Sequence, residues 1–322
     1  MIPYISDKAR KATFATFKKY SSLGILPPKT ACKLFDSNVS PVLNYAAELW
    51  GSYKEIQQIE TVHYRFLKYT LGVKDSTSNL ATLGEFGRFP MCITHSSKII
   101  KYWSRLLKLD KNKLVKKAYN TLYSLHNSGF QTWVSQIEQI LNINNLQKFW
   151  VDQLPLDDHD LKNLNISLQV KFTQNWEENI DKFPILRFYK KFKTNFVIEP
   201  YLYLIKDNKL RKTLSKFRLS SHSLKIETGR HTKPKTPLEK RTCTLCNFNA
   251  IESEEHLLLH CPLYQEERIY LFSKIISHGV HIENNSNPNS VLISLMSSNN
   301  SDILFNLCKF LDKAFKARSL LL

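Results

Sequence analysis

Cys243-Thr-Leu-Cys246-Asn-Phe-Asn-Ala-Ile-Glu-Ser-Glu-Glu-His256-Leu-Leu-Leu-His260-Cys261-Pro262 gathers three of the chain's six cysteines and two histidines into one short run. Four sulfur and nitrogen ligands are what one tetrahedral Zn²⁺ requires, and the ion then folds a segment too small to bury a core of its own. A Cys-x2-Cys turn aims two thiolates at one ion, and the loop formers Asn247 and Asn249 follow it. Glu252 to His260 reads as a short helix. Pro262 pushes the preceding Cys261 out of helical geometry and frees it to swing back toward His256. The expected ligands are Cys243, Cys246, His256 and Cys261. His260, four positions after His256, is the rival fourth ligand, although the gap after Cys246 is short of the about twelve residues usual in a Cys2His2 finger. Unconnected buried thiols are the bland alternative.

Outward from that run, the 322 residues suffice for two or three domains, and 12% aromatics with only 8 glycines mark a chain that folds. The N-terminus lacks the charged start and apolar run of a secretory signal. No stretch approaches about eighteen uninterrupted apolar residues, so no membrane span is expected. Cysteines concentrated in a metal pattern suit a reducing compartment better than a disulfide scaffold. The expected location is therefore intracellular, in the nucleus or a cytoplasmic ribonucleoprotein.

The net charge of +18 is unevenly placed. Residues 1–125 and 206–241 are strongly basic, whereas 126–205 and 242–322 are close to neutral. Solubility alone favours mixed signs on every face. Two separated basic blocks instead suit two surfaces on one polyanion, and RNA or DNA is the expected partner.

Apolar periodicity predicts a mostly α-helical protein. Helices are expected over 7–20, from Pro27-Pro28 toward Pro41, over 54–71, from Pro90 to about Leu109, over 206–220, over 264–281 and over 302–322, with an Asn/Ser-rich loop at 284–301. Four parts are expected: a helical bundle at 1–125, a helical linker at 126–205 carrying Trp133, Trp150 and Trp176, a basic helix and cationic strap at 206–241, and the zinc module at 242–322. Pro234 and Pro237 argue against regular structure in the strap. Leu156-Asp157-Asp158 superficially resembles the paired aspartates that hold Mg²⁺ in polymerases. It lacks flanking strands, however, and reads better as the cap of the helix near Leu161.

Three stretches are similar to the carboxy-terminal region of LINE-type (non-LTR) retrotransposon reverse transcriptases. Lys33 to Gly51, ending Glu-Leu-Trp-Gly, resembles the thumb segment that follows the polymerase palm. Ile59 to Gly72, then Gly84-Glu-Phe-Gly-Arg-Phe-Pro90, continues that pattern. Phe217 to Arg230, with Arg241-Thr-Cys243-Thr-Leu-Cys246, His256 and Cys261-Pro-Leu-Tyr264, resembles the basic motif and terminal CCHC knuckle. The resemblance implies a thumb-like bundle that clamps nucleic acid without phosphoryl transfer. The Tyr-x-Asp-Asp palm of that family is missing from this sequence, as is its endonuclease.

The expected function is nucleic-acid binding by a catalytically inert fragment. Two alternatives stand beside it: the thumb and knuckle of a complete RNA-directed DNA polymerase whose palm precedes Met1, and a zinc-stapled protein-interaction module. Lys209, Arg211, Lys212, Lys216, Arg218, His222, Lys225, Arg230 and Arg241 are the candidate phosphate contacts, because Arg grips phosphate bidentately and Lys acts as a point charge. Arg230 has a competing role with Glu227 in shaping the turn at Gly229. Lys18, Lys19, Lys68, Lys74 and Arg88 are weaker candidates, since solvated helix faces carry lysine anyway.

Overall fold

The computed structural model describes residues 1–21, 26–52, 56–277 and 287–321. The break expected at Gly24–Pro28, the end of the helix expected over 264–281 and the start of the Asn/Ser-rich stretch lie partly outside these residues. The fold is mostly α-helical, as the periodicity predicts. In chain order the helices are α1 (Ile2–Ser21), α2 (Pro28–Asn38), α3 (Ser40–Leu43), α4 (Ala47–Trp50), α5 (Gln57–Leu71), α6 (Asn79–Phe86), α7 (Met91–Leu107), α8 (Leu114–Asn127) and α9 (Trp133–Ile143). They continue with α10 (Gln147–Val151), α11 (Asp158–Lys182), α12 (Tyr201–Leu204), α13 (Asn208–Arg218), α14 (Lys225–Thr228), α15 (Gln265–Ser277), α16 (Pro288–Met296) and α17 (Ser301–Leu321).

Two units divide the chain. The first comprises Met1–Ser22, Lys33–Tyr64 and Phe89–Trp176, and the second Leu23–Cys32, Arg65–Arg88 and Glu177–Leu322. The boundaries expected at 125, 205 and 241 do not coincide with this division. Apolar burial is the reason: Trp103, Tyr119, Ile137, Trp150 and Leu164 form one core cluster, so helices on both sides of residue 125 share an interior. The region expected as a linker up to 205 is likewise divided between the two units.

In the first unit, α7 packs against α4, α8 and α9. Tryptophan burial is combined with hydrogen bonding, as an indole N–H demands. Trp103 Nε1 donates to the Tyr119 hydroxyl at 2.9 Å, Trp133 Nε1 to the Glu48 carbonyl at 2.9 Å and Trp50 Nε1 to the Tyr45 carbonyl at 2.9 Å. Gly51, after Trp50, admits no side chain, because a Cβ there would sit 2.7 Å from the His95 Cβ. Glu60 on α5 takes the free N–H groups opening α7, accepting from Met91 N at 3.1 Å and Cys92 N at 2.8 Å. Asp157 caps α11 as its sequence context suggests, accepting from Asp160 N at 2.7 Å.

In the second unit α17 is the central helix, packed by α12, α13, α15 and α16. Leu307, Leu311 and Ala314 of α17 are buried, as are Leu214 and Phe217 of α13. Asp207 caps α13 through Leu210 N at 2.9 Å. The Asn/Ser-rich stretch expected as a loop contains α16. Asn287 is its N-cap and Pro288 its first residue, a start signal that the polar composition obscured.

Candidate metal centre and cationic surface

Thr242 and Ile251 form an antiparallel bridge that begins the cysteine-rich turn. Cys243 N donates to the Ala250 carbonyl at 2.8 Å and Glu252 N to the Arg241 carbonyl at 2.9 Å. Asn249 takes the left-handed conformation this tight return needs, with φ of 48°. The second pair of ligands comes from a helical turn ending in five residues of π-helix, His256–His260. There Cys261 N donates to the His256 carbonyl at 2.7 Å. In such a widened turn the residue five positions on, not four, returns beneath His256.

Cys243, Cys246, His256 and Cys261 consequently converge, with their ligand atoms all within 4.8 Å of one another. Cys246 Sγ stands 3.4 Å from His256 Nε2. Bonds of about 2.3 Å to sulfur and about 2.0 Å to nitrogen in a tetrahedron give ligand–ligand edges of roughly 3.5–3.8 Å, inside the 4.8 Å that bounds this cluster, so these four residues could hold one metal ion. His260 is not part of it. Its side chain is exposed, and Nε2 faces Glu255 Oε1 at 3.6 Å. Burial pushes the Cys261 thiol up to about 12 and raises Cys243, while it lowers His256. Such thiols stay protonated until a cation displaces the protons.

Arg268 secures the far side of the turn. Its guanidinium donates to the carbonyls of Leu258 at 2.9 Å and Cys261 at 2.6 Å. Two buried carboxylates then anchor the cluster within the second unit. Glu252 receives Arg318 Nε at 2.7 Å and Lys225 N at 2.7 Å. Glu254 receives Arg187 Nη2 at 3.0 Å, Ser220 Oγ at 3.1 Å and His222 Nε2 at 3.1 Å. Burial drives Glu254 upward, but the His222 hydrogen bond and the charges of His222 and Arg187 bring it down to about 2.

Several candidate phosphate contacts occupy interior positions, and that role is withdrawn for them. Arg218 is fully buried against Glu85 and Glu199. Arg211 is buried and donates to the Ile205 carbonyl at 2.8 Å and Asn208 Oδ1 at 2.8 Å, closing the start of its own helix. Arg241 is buried and donates to the Ile226 and Thr236 carbonyls, which folds the strap back on itself. His222 is committed to Glu254, and buried Lys68 donates to the Asp75 carbonyl at 2.6 Å. Arg230 takes its competing role, with Nε 3.3 Å from Glu227 Oε2. In each case a polar or charged group drawn away from water needs an internal partner, and the partner consumes the side chain.

The remaining candidates reach solvent to different degrees. Lys209 is exposed and pairs with Asp312 at 3.3 Å. Lys212 is half-buried, its Nζ 5.7 Å from the Tyr69 ring centroid. Lys225 and Arg88 are half-buried, while Lys18, Lys19, Lys74 and Lys216 are exposed. The strap adds exposed Lys233, Lys235 and Lys240, which the sequence reading passed over individually. Their signal was present in the flanking Pro234 and Pro237, which keep this backbone out of a packed helix. Among the described residues, Lys74, Lys216, Lys233, Lys235 and Lys240 pair with no carboxylate. Comparison with protein-family models, with curated proteins and with solved structures finds no match.

Proposed function

We propose that this chain is an intracellular RNA- or DNA-binding protein whose second unit carries both a structural zinc site and the surface that meets the phosphates. The observation that carries the reading is the set of exposed lysines without carboxylate partners, Lys74, Lys216, Lys233, Lys235 and Lys240, in the same unit as the Cys3His cluster. Phosphate binding needs clustered cations that are not already neutralised. The resemblance of the Trp50-Gly51 segment, the basic motif and the CCHC run to the end of a LINE-type reverse transcriptase supports the same reading. By that resemblance the chain binds nucleic acid and does no phosphoryl transfer alone. Joined to a palm, it would clamp template and primer.

Zinc, when bound by Cys243, Cys246, His256 and Cys261, supplies four ligand bonds that tie the cysteine turn to the helical turn. Four protein ligands leave no open position, so the site's role is to hold shape. The chain's own groups do the rest: Arg268 holds the carbonyls behind Cys261, and Glu252 and Glu254 anchor the module.

Fluorescence anisotropy of the zinc-loaded full chain with a labelled single-stranded RNA tests the proposal. Log affinity should fall linearly with log salt between about 50 mM and 200 mM, with a slope near −0.7 for each phosphate contacted. Lys74→Ala, Lys216→Ala and Lys235→Ala should each weaken binding and flatten that slope. Affinity indifferent to salt and to all three substitutions would refute the reading. Displacement of bound RNA by an acidic polypeptide but not by unlabelled RNA would point instead to an acidic protein partner.

A further inference from the structure

Within the second unit a cleft of about 440 Å³ opens beside the Gly72–Lys74 turn, between α13 and α17. Its size falls in the range of roughly 300–1,000 Å³ typical of ligand sites. Lys74 and Lys216 line it, and no carboxylate does. Neither lysine pairs with a carboxylate among the described residues. An apolar wall stands beside these cations. Phe315 lines the cleft, with the imidazole of His222 stacked near it at a centroid separation of 6.1 Å and 26° between planes, and Phe217 edge-on at 6.3 Å.

The imidazole is held firmly in that position. His222 Nδ1 accepts from Leu224 N at 3.3 Å while Nε2 meets Glu254 Oε1 at 3.1 Å. Ser221 Oγ holds the Gly72–Lys74 turn, accepting from Lys74 N at 3.0 Å and lying 3.2 Å from Thr77 Oγ1. The cleft thus holds an aromatic ring together with two cations. Single-stranded nucleic acid asks for that combination, because each unit has a π face and a phosphate.

We infer that this cleft takes one nucleotide unit, its base on the Phe315 ring and its phosphate between Lys74 and Lys216. The inference rests on the nucleic-acid reading above and adds a residue-level site to it. It separates two contributions that a basic surface alone would merge. The lysines act on any phosphate chain, whereas Phe315 acts only where a base is present.

The test uses the zinc-loaded full chain and two strands of equal length, one single-stranded RNA and one abasic analogue. Phe315→Leu should weaken the base-bearing strand roughly tenfold and leave the abasic strand unchanged. Phe315→Tyr, which keeps the ring, should retain affinity. Lys74→Ala with Lys216→Ala should weaken both strands alike. Should Phe315→Leu leave the base-bearing strand unaffected, or weaken both strands equally, the pocket assignment fails while salt-dependent binding stands.

A titration of the wild-type chain with AMP, followed by the backbone amide signals of Val73, Lys74 and Phe315, separates the pocket from the wider reading. Signals that move in a chain that binds no strand would retain the cleft as a site for a free nucleotide and overturn nucleic-acid binding. Signals that stay fixed, with no strand bound, would overturn both.

Discussion

Arg218 and Glu85 meet in a bidentate pair inside the second unit: Nη2 lies 2.9 Å from Oε1, and Nε lies 3.0 Å from Oε2. The same guanidinium reaches Glu199 Oε2 at 2.6 Å and sits 4.5 Å from the Phe192 ring centroid. Tyr201 donates its hydroxyl to Glu85 at 2.6 Å. A buried carboxylate and guanidinium are tolerated together only because nearly every lone pair and N–H is matched. This network joins α6, α12 and α13.

Removing one partner strands the other charge away from water. Arg218→Leu and Glu85→Leu should each destabilise the second unit by about 3–5 kcal/mol in urea denaturation. The double variant should cost less than the two single variants added together, because the uncompensated charge is gone. Fully additive losses would show that the pair contributes nothing as a pair.

Glu60 and Glu85 should make opposite contributions to stability as pH changes. Burial raises Glu60 above its ordinary value of 4.5, with the N–H groups of Cys92 and Met91 only partly opposing it. Its contribution is therefore complete below pH 4.5 and is lost as pH rises through the raised value. Burial also pushes Glu85 upward, but Arg218, Lys193 and the Tyr201 hydroxyl together outweigh it and leave this carboxyl below 4.5. Its contribution is present above pH 4.5 and is lost as pH falls. Measured by urea denaturation across that range, Glu60→Gln should become relatively less harmful as pH rises. Glu85→Gln should become more harmful over the same range. Parallel profiles for the two variants would contradict these assignments.

The π-turn distinguishes Cys261 from His260. Cys261→Ser should lower the zinc bound per chain, measured by elemental analysis of the purified protein, whereas His260→Ala should leave it unchanged. On the proposed zinc reading, chelation should lower hydrogen-exchange protection at Cys243 N and Leu257 N, because ligand bonds would tie the two turns together there. Protection in the Ile99–Leu106 stretch of the first unit should survive chelation. Zinc loss in His260→Ala equal to that in Cys261→Ser would assign the fourth ligand differently.

What could be read from the sequence followed from how locally each feature is encoded. The Cys3His cluster needed four ligands at short separations and a proline after the last, all within one segment. The helices were carried by apolar spacing and by the cap at Asp157. Arg218 was misread because its partner Glu85 lies 133 residues away, and charge composition cannot reveal which carboxylate faces a given arginine. His222 was misread for the same reason, since its partner Glu254 lies 32 residues away. Arg211 and Arg241 were misread because carbonyls close by in the chain, with Asn208 Oδ1 for Arg211, take up their guanidinium groups, and charge composition does not register such acceptors. The boundary expected at 125 does not coincide with the division into two units, because a change in net charge describes the surface, whereas Trp103 and Trp150 pack across it in the core.

Gly87 and Gly129 offer a contrast in which conformational strain alone can be separated from crowding. Both have positive φ, 58° and 90°. A Cβ at Gly87 would lie 2.7 Å from Ile198 N and 2.8 Å from the Val197 carbonyl carbon, whereas one at Gly129 would meet nothing within 4 Å. Crowding at Gly87 is against backbone, which cannot rotate away like a side chain, and it falls where Phe86 bridges Ile198 beside the Glu85–Arg218 network. Gly129→Ala should cost about 1 kcal/mol, the usual order for a left-handed position. Gly87→Ala should cost several times that and lower cooperativity in the second unit. Equal losses in urea denaturation would mean that the α6 C-terminus relaxes freely and that Glu85 is not held in place by it.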